Sequence, residues 1–123
     1  LGAQRNHFDR LAHFTVGFYA YALMEFVESR RLSTRRAFSF VFAVAAILAV
    51  AALFEMVEWL YAVSADSAAG AEFLGSQGDV WDAQKDMLAD GLGAILAALA
   101  YQFAHRGRFP DPVGQGAART LTP

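Results

Sequence analysis

Acidic and histidine side chains recur at helical spacing within or beside three apolar stretches of this sequence. Each set is spaced by three or four residues and so lies along one helical face: Asp9 and His13, Glu55 and Glu58, and Asp82, Asp86 and Asp90. Carboxylate and imidazole groups suit a divalent cation such as Mg, Mn, Ca or Zn, and a cation would relieve the repulsion among the carboxylates. The pattern therefore predicts a metal site, provided that the three sets meet.

We expect the metal ligands to be His13, Glu55, Glu58, Asp82 and Asp86. Three further carboxylates are expected to support the cluster: Asp9, Asp79 and Asp90, with Asp79 also suited to cap the helix that follows it. The residues leave open a polar network without a metal. In that alternative Asp9 pairs with Arg5 or Arg10, Glu58 extends to water, and Asp82 or Asp86 lies on a wet face beside Lys85.

The composition indicates a membrane protein of one domain. The 123 residues are 56% hydrophobic with a net charge of −2, and no charged residue occurs from Ala37 to Phe54. A spanning helix needs about 20 mainly apolar residues. We predict an all-α, multi-pass transmembrane helical bundle over residues 1–108, with spans at about 11–27, 37–63 and 87–104, followed by an irregular Pro- and Gly-rich tail at 109–123.

The charge distribution predicts the orientation of the bundle. The short segment ESRRLSTRR between the first two spans is strongly basic, which assigns it to the cytoplasmic side, whereas the next loop is mainly acidic. The acidic and histidine residues then share the extracytoplasmic end of the bundle. The sequence begins with Leu, and three helices bury polar groups poorly, so further helices upstream are expected.

The chain contains no cysteine, which excludes thiolate ligands, and its small net charge disfavours nucleic-acid binding.

Several segments together resemble the YjdF-like family of predicted bacterial inner-membrane proteins. These segments are DRLAHF, FEMVEW, GDVWDAQKDM and the small-residue helix that begins DGLGA, and the resemblance extends from about His7 to Ala104. GDVWDAQKDM is its most specific part. Members of that family usually have further hydrophobic segments upstream, which the resemblance implies for this protein too. A looser likeness to VanZ-like membrane proteins lies in the early histidine and the acidic third helix. Neither resemblance implies a reaction.

Two functions are compatible with these features. In the first, the pocket binds a divalent metal and acts on a lipid or lipid-linked phosphate at the outer leaflet, with His13 or Glu58 as general base. In the second, the protein is a non-catalytic subunit of a larger membrane assembly, or of a homo-oligomer, and the polar cluster holds helices together. The expected partners are membrane lipids and other membrane subunits. The sequence does not decide whether the protein is an enzyme.

Overall fold

The computed structural model describes residues 8–64 and 81–107, and these residues form four helices, with short turns between the helices of the first range. In chain order the helices are α1 (Phe8–Val16), α2 (Tyr19–Ser29), α3 (Arg36–Ser64) and α4 (Asp82–Ala104). No strand occurs in these two ranges, in agreement with the predicted all-α class. Residues 65–80, which include the expected cap Asp79, and the predicted tail at 109–123 lie outside the described residues.

The first predicted span, at about 11–27, is divided between α1 and α2. The hydroxyl of Thr15 donates to the Ala12 carbonyl at 2.7 Å, a side-chain bond that competes with helix continuation. Gly17 follows, a residue with low helix propensity, and the Phe18 N–H then donates to Thr15 instead of Phe14, which tightens the turn. Neither α1 nor α2 alone has the length of a span.

Helix α3 is a long apolar helix that buries only one narrow stripe. Ser39, Ala43, Ile47 and Ala51 recur every four residues on the face that packs into the bundle. Large apolar residues cover the other faces, and for example Val50 is 59% exposed and Leu53 is 58% exposed. Such a surface suits contact with lipid or with further helices. Both α3 and α4 are long and apolar enough to cross a membrane.

Helix α4 occupies the centre and packs against α1, α2 and α3. The buried face of α4 has polar residues near both helix ends and small residues between them. Its members are Asp86, Asp90, Gly91, Gly93, Ala94, Ala97, Ala98 and Tyr101. The small residues allow close approach. A Cβ placed on Gly17 would lie only 2.6 Å from the Gly93 carbonyl carbon, so the two backbones meet where neither residue has a side chain.

The turn between α2 and α3 places several arginines at one end of the bundle. Arg31 adopts a left-handed conformation (φ 54°), and the Leu32 N–H donates to the Val27 carbonyl at 2.9 Å, which closes α2. Arg36, the first residue of α3, donates a hydrogen bond from Nη2 to the carbonyl of His105, just after α4. The start of α3 and the end of α4 therefore meet at this basic end.

Candidate cation-binding site

An acidic cluster forms at the opposite end, where α1 crosses the start of α4 beside the second half of α3. It comprises Asp9, Arg10 and His13 of α1, Glu55 and Glu58 of α3, and Asp82, Asp86 and Asp90 of α4. The close contact of Gly17 with α4 fixes α1 at this position, because Gly17 lies one helical turn after His13 and Gly93 lies one turn after Asp90. Residues remote in sequence thereby become neighbours.

His13 is held by a buried carboxylate on one side and faces further carboxylates on the other. Its Nδ1 lies 2.8 Å from Oδ2 of Asp90, whose residue is 1% exposed. Its Nε2 lies 3.9 Å from Oδ1 of Asp9 and 4.0 Å from Oε1 of Glu55. An ionised carboxylate only accepts hydrogen bonds, so Nδ1 is the donor, and a neutral His13 presents the Nε2 lone pair to Asp9 and Glu55.

Arg10 bridges two carboxylates of α4. Its Nη2 donates to Oδ1 of Asp82 at 3.0 Å, and its Nε lies 3.6 Å from Oδ1 of Asp86. The Asp86 contact is an ion pair too long for a hydrogen bond. Arg10 thus ties α1 to the first two turns of α4 and neutralises part of the charge there.

Asp9, His13 and Asp86 offer ligand atoms that all lie within 4.8 Å of one another. Asp86 is 3% exposed, and one oxygen of Asp86 and one of Asp90 are buried and accept no hydrogen bond from the residues that the structure describes. A buried oxygen in this state is costly unless something supplies the missing interaction. A bound cation, a proton or a water molecule could supply the interaction that these oxygens lack.

A comparison with known proteins identifies the family. The family described as "Predicted membrane protein (DUF2238)" matches residues 1–107. The chain belongs to this family. It is also 35% identical over 100 residues to the inner membrane protein YjdF of Escherichia coli (strain K12), an alignment that covers 80% of this chain and 47% of that protein. The chain therefore spans about half the length of this relative. No solved structure matches it.

The resemblance to the YjdF-like family is thus confirmed, and this DUF2238 chain brings most of the predicted site residues together. His13, Asp9, Glu55, Asp86 and Asp90 lie within the distances given above. Asp82 joins them through Arg10, and Glu58 lies near enough to interact electrostatically with Asp9, His13, Asp82 and Asp86. Asp9 and Asp90 were expected only to support the cluster, but Asp9 offers a ligand atom beside His13 and Asp86, and Asp90 is hydrogen-bonded to His13. Asp79 lies outside the described residues. Whether they bind metal stays a prediction.

Sequence analysis missed the bridging role of Arg10 and a second polar cluster at the basic end. Arg10 lies three residues before His13, a spacing that already places both on one helical face. At the basic end the Tyr101 hydroxyl donates to Oε2 of buried Glu28 at 3.0 Å, and the Tyr101 ring stacks on His105 with centroids 4.2 Å apart. Tyr101 and His105 are four residues apart, so the same spacing would have revealed this cluster.

Proposed function

We propose that this protein binds a divalent cation in the acidic cluster, at the extracytoplasmic end of a multi-pass inner-membrane helical bundle. The observation that carries the proposal is that ligand atoms of Asp9, His13 and Asp86 lie within 4.8 Å of one another, beside a buried carboxylate oxygen to which no described residue donates a hydrogen bond. Oxygens that share one Ca²⁺ lie at most about 5 Å apart, and ligands of Mg²⁺ or Zn²⁺ lie about 1 Å closer. Small side-chain movements would suffice.

The charge of the cluster supports a bound cation. Six carboxylates take part: Asp9, Glu55, Glu58, Asp82, Asp86 and Asp90. Arg10 and a protonated His13 supply at most two positive charges among these side chains. Like charges at such short range in a partly buried site repel strongly, and either proton uptake or a cation relieves the repulsion. A divalent cation relieves it without protonating the carboxylates.

His13 and Asp90 have the arrangement of a metal-binding histidine with its supporting carboxylate. In many metal sites the second ring nitrogen donates to a carboxylate, which fixes the tautomer and raises the basicity of the ligating nitrogen. The bond from Nδ1 to Asp90 meets this condition and directs Nε2 toward Asp9 and Glu55. We assign Nε2 as the nitrogen ligand, with Asp9, Asp86 and Glu55 as the nearest oxygen donors.

The proposed substrate class is a lipid or lipid-linked phosphate. A cation held at the end of a bundle in a membrane lies at the depth of lipid headgroups, where it could bind phosphoryl oxygens and lower the barrier to attack by water. Glu58 lies one turn beyond Glu55, toward the end of α3, and is the carboxylate best placed to accept the proton of that water.

The exposed apolar faces of α3 favour a second candidate, a non-catalytic subunit. Val50, Leu53 and Val57 are each more than half exposed on this helix. The chain spans only about half of its relative, so further helices of the same protein, a second copy or another subunit could cover this surface. In this case the cation would stabilise the bundle rather than react.

Titration of the purified full-length protein with Mn²⁺, after removal of metals by a chelator, tests the cation site. We expect His13→Gln to weaken Mn²⁺ binding severely and Asp90→Asn to weaken it by about 10- to 100-fold, the usual effect of losing a supporting carboxylate. His105→Gln is the matched control, because His105 also lies near a carboxylate, with Nε2 3.8 Å from Glu25, but at the basic end. Equal Mn²⁺ affinity in the two histidine variants would refute the site.

A second measurement separates the two functions. The metal-loaded protein is incubated with phosphatidic acid, a lipid phosphomonoester, and with a polyprenyl diphosphate, and the inorganic phosphate that hydrolysis releases from either one is measured. Metal-dependent release that Glu58→Gln abolishes would support an enzyme. Metal binding without release, together with a constant set of co-purifying membrane proteins, would support the subunit.

A further inference from the structure

A groove at the basic end of the bundle combines an apolar floor with two arginines. The groove has a volume of about 540 Å³ and lies along the outer face of the last three turns of α4, beside the first residue of α3. Its lining includes Arg36, Leu96, Leu99, Ala100, Phe103 and Arg106. This groove lies at the far end of α4 from the acidic cluster.

The two arginines form the polar end of the groove. Arg36 is held there by its hydrogen bond to the His105 carbonyl. The guanidinium of exposed Arg106 lies 4.3 Å from the centre of the Phe103 ring, so it is directed across the ring instead of away from the protein. Among the described residues no carboxylate lines the groove. The described residues at this end of the groove therefore contribute two arginine side chains.

The apolar floor extends from these arginines toward the middle of α4. Phe103 is 67% exposed, Leu99 51% and Leu96 53%, and they recur at intervals of four and three residues along one face. Helix α4 is long and apolar enough to cross a bilayer, and an exposed apolar row on such a helix suits contact with acyl chains. Ala100 adds no bulk beside them.

We propose that this groove binds one anionic phospholipid, with its phosphate between Arg36 and Arg106 and an acyl chain along Phe103, Leu99 and Leu96. Charge complementarity selects the ligand: two guanidiniums match an anionic headgroup, and the apolar row continues in the direction of the acyl chains. Basic pockets between helices at the cytoplasmic membrane surface commonly bind anionic lipid headgroups. The predicted orientation places this end of the bundle at that surface.

The matched control is Arg30, which also lies at the basic end. Its guanidinium is over the ring of Phe26, 5.8 Å from its centre, but it does not line the groove. Arg106→Gln and Arg30→Gln therefore remove the same charge from the same end of the molecule. Because one basic residue near a membrane surface contributes about 1 kcal/mol, we expect Arg106→Gln to weaken binding of the anionic lipid by about fivefold and Arg30→Gln to change it little.

Native mass spectrometry of the full-length protein, with phosphatidylglycerol or phosphatidylcholine added at matched concentrations, measures the binding. We expect retention of one phosphatidylglycerol and weaker retention of phosphatidylcholine. Ala100→Trp fills the exposed groove without removing a charge and should also reduce phosphatidylglycerol binding. Thermal unfolding of each variant confirms that it is folded.

Three outcomes would overturn the proposal. Equal losses in Arg106→Gln and Arg30→Gln would show diffuse attraction instead of a site. Displacement of phosphatidylglycerol by inorganic phosphate at the same concentration would show an anion site without lipid selectivity. A change of oligomeric state in Ala100→Trp with lipid binding unaltered would show that a second copy covers the groove.

Discussion

Substitution of Gly93 by alanine tests whether the contact of α1 with α4 holds the acidic cluster together. A Cβ at Gly93 would overlap the Phe14 carbonyl oxygen and would lie 3.0 Å from the Phe14 carbonyl carbon and 3.3 Å from Cα of Gly17. These are all backbone atoms, which no rotamer change can move. Helix α1 would have to shift away from α4.

The expected loss of stability follows from two opposing effects. Overpacking a close contact typically costs 1–3 kcal/mol, and a clash with backbone belongs at about the upper end, roughly 3 kcal/mol. Replacing glycine by alanine inside a helix gains about 1 kcal/mol in helix propensity. Gly93→Ala should therefore lower the free energy of unfolding by about 2 kcal/mol.

Gly91→Ala is the control, because Gly91 lies in the same helix and gains the same propensity. Its Cβ would meet Cδ2 of Leu48 at 3.2 Å, the mobile end of a flexible side chain that can move by a few tenths of an ångström. We expect Gly91→Ala to be neutral or up to about 1 kcal/mol more stable than wild type. Unfolding in detergent, by heat or by titration with a denaturing detergent, measures both variants. Equal stability of Gly93→Ala and Gly91→Ala would show that the backbone contact is not tight.

Three further predictions concern orientation, the cation and the buried tyrosine. Ser76→Cys should react with an impermeant thiol reagent in intact spheroplasts and Ser33→Cys only after permeabilisation, since the basic loop is predicted to be cytoplasmic; the reverse pattern would overturn the orientation. A divalent cation at a hundredfold excess over its Kd should stabilise the wild type by about 2.7 kcal/mol, and Asp86→Asn should abolish this stabilisation. In the presence of a chelator, Asp86→Asn should be no less stable than the wild type. A wild type whose stability does not change with chelator would exclude a structural metal. Tyr101→Phe should lower the free energy of unfolding by about 1.5–3 kcal/mol because it removes a hydrogen bond to the Glu28 carboxylate, and an unchanged melting temperature would contradict this.

The sequence predicted which residues lie on common faces but not how closely the helices approach. Spacing by three and four residues was enough to select His13, Glu55, Asp86 and Asp90, because side chains one turn apart on a helix always share a face. The direct bond from His13 to Asp90 depends on the Gly17 contact with Gly93, which lies between residues 76 positions apart in the chain. No local pattern specifies such a contact.

The break between α1 and α2 shows a second limit of prediction from hydropathy. The stretch from Leu11 to Val27 is apolar enough that hydropathy predicts one continuous span. Hydropathy does not take into account the local hydrogen bond of Thr15 or the flexibility of Gly17. In the structure these two residues end α1 and allow the chain to change direction on the surface of α4. The break therefore coincides with the place where α1 reaches its closest contact with α4.

The separation of the two polar clusters matches the thickness of a membrane. Along α3, Arg36 at the basic end and Glu55 in the acidic cluster are 19 residues apart, which corresponds to about 28 Å at 1.5 Å per residue. The hydrocarbon core of a bilayer is about 30 Å thick. Along α4, the residues between Asp90 and Tyr101 are glycine, alanine, leucine and isoleucine, so each helix places its polar groups near the ends and keeps the middle apolar. If the bundle crosses the membrane, the acidic cluster and the groove at the basic end lie at opposite surfaces, and a substitution confined to one of them should leave ligand binding at the other unchanged.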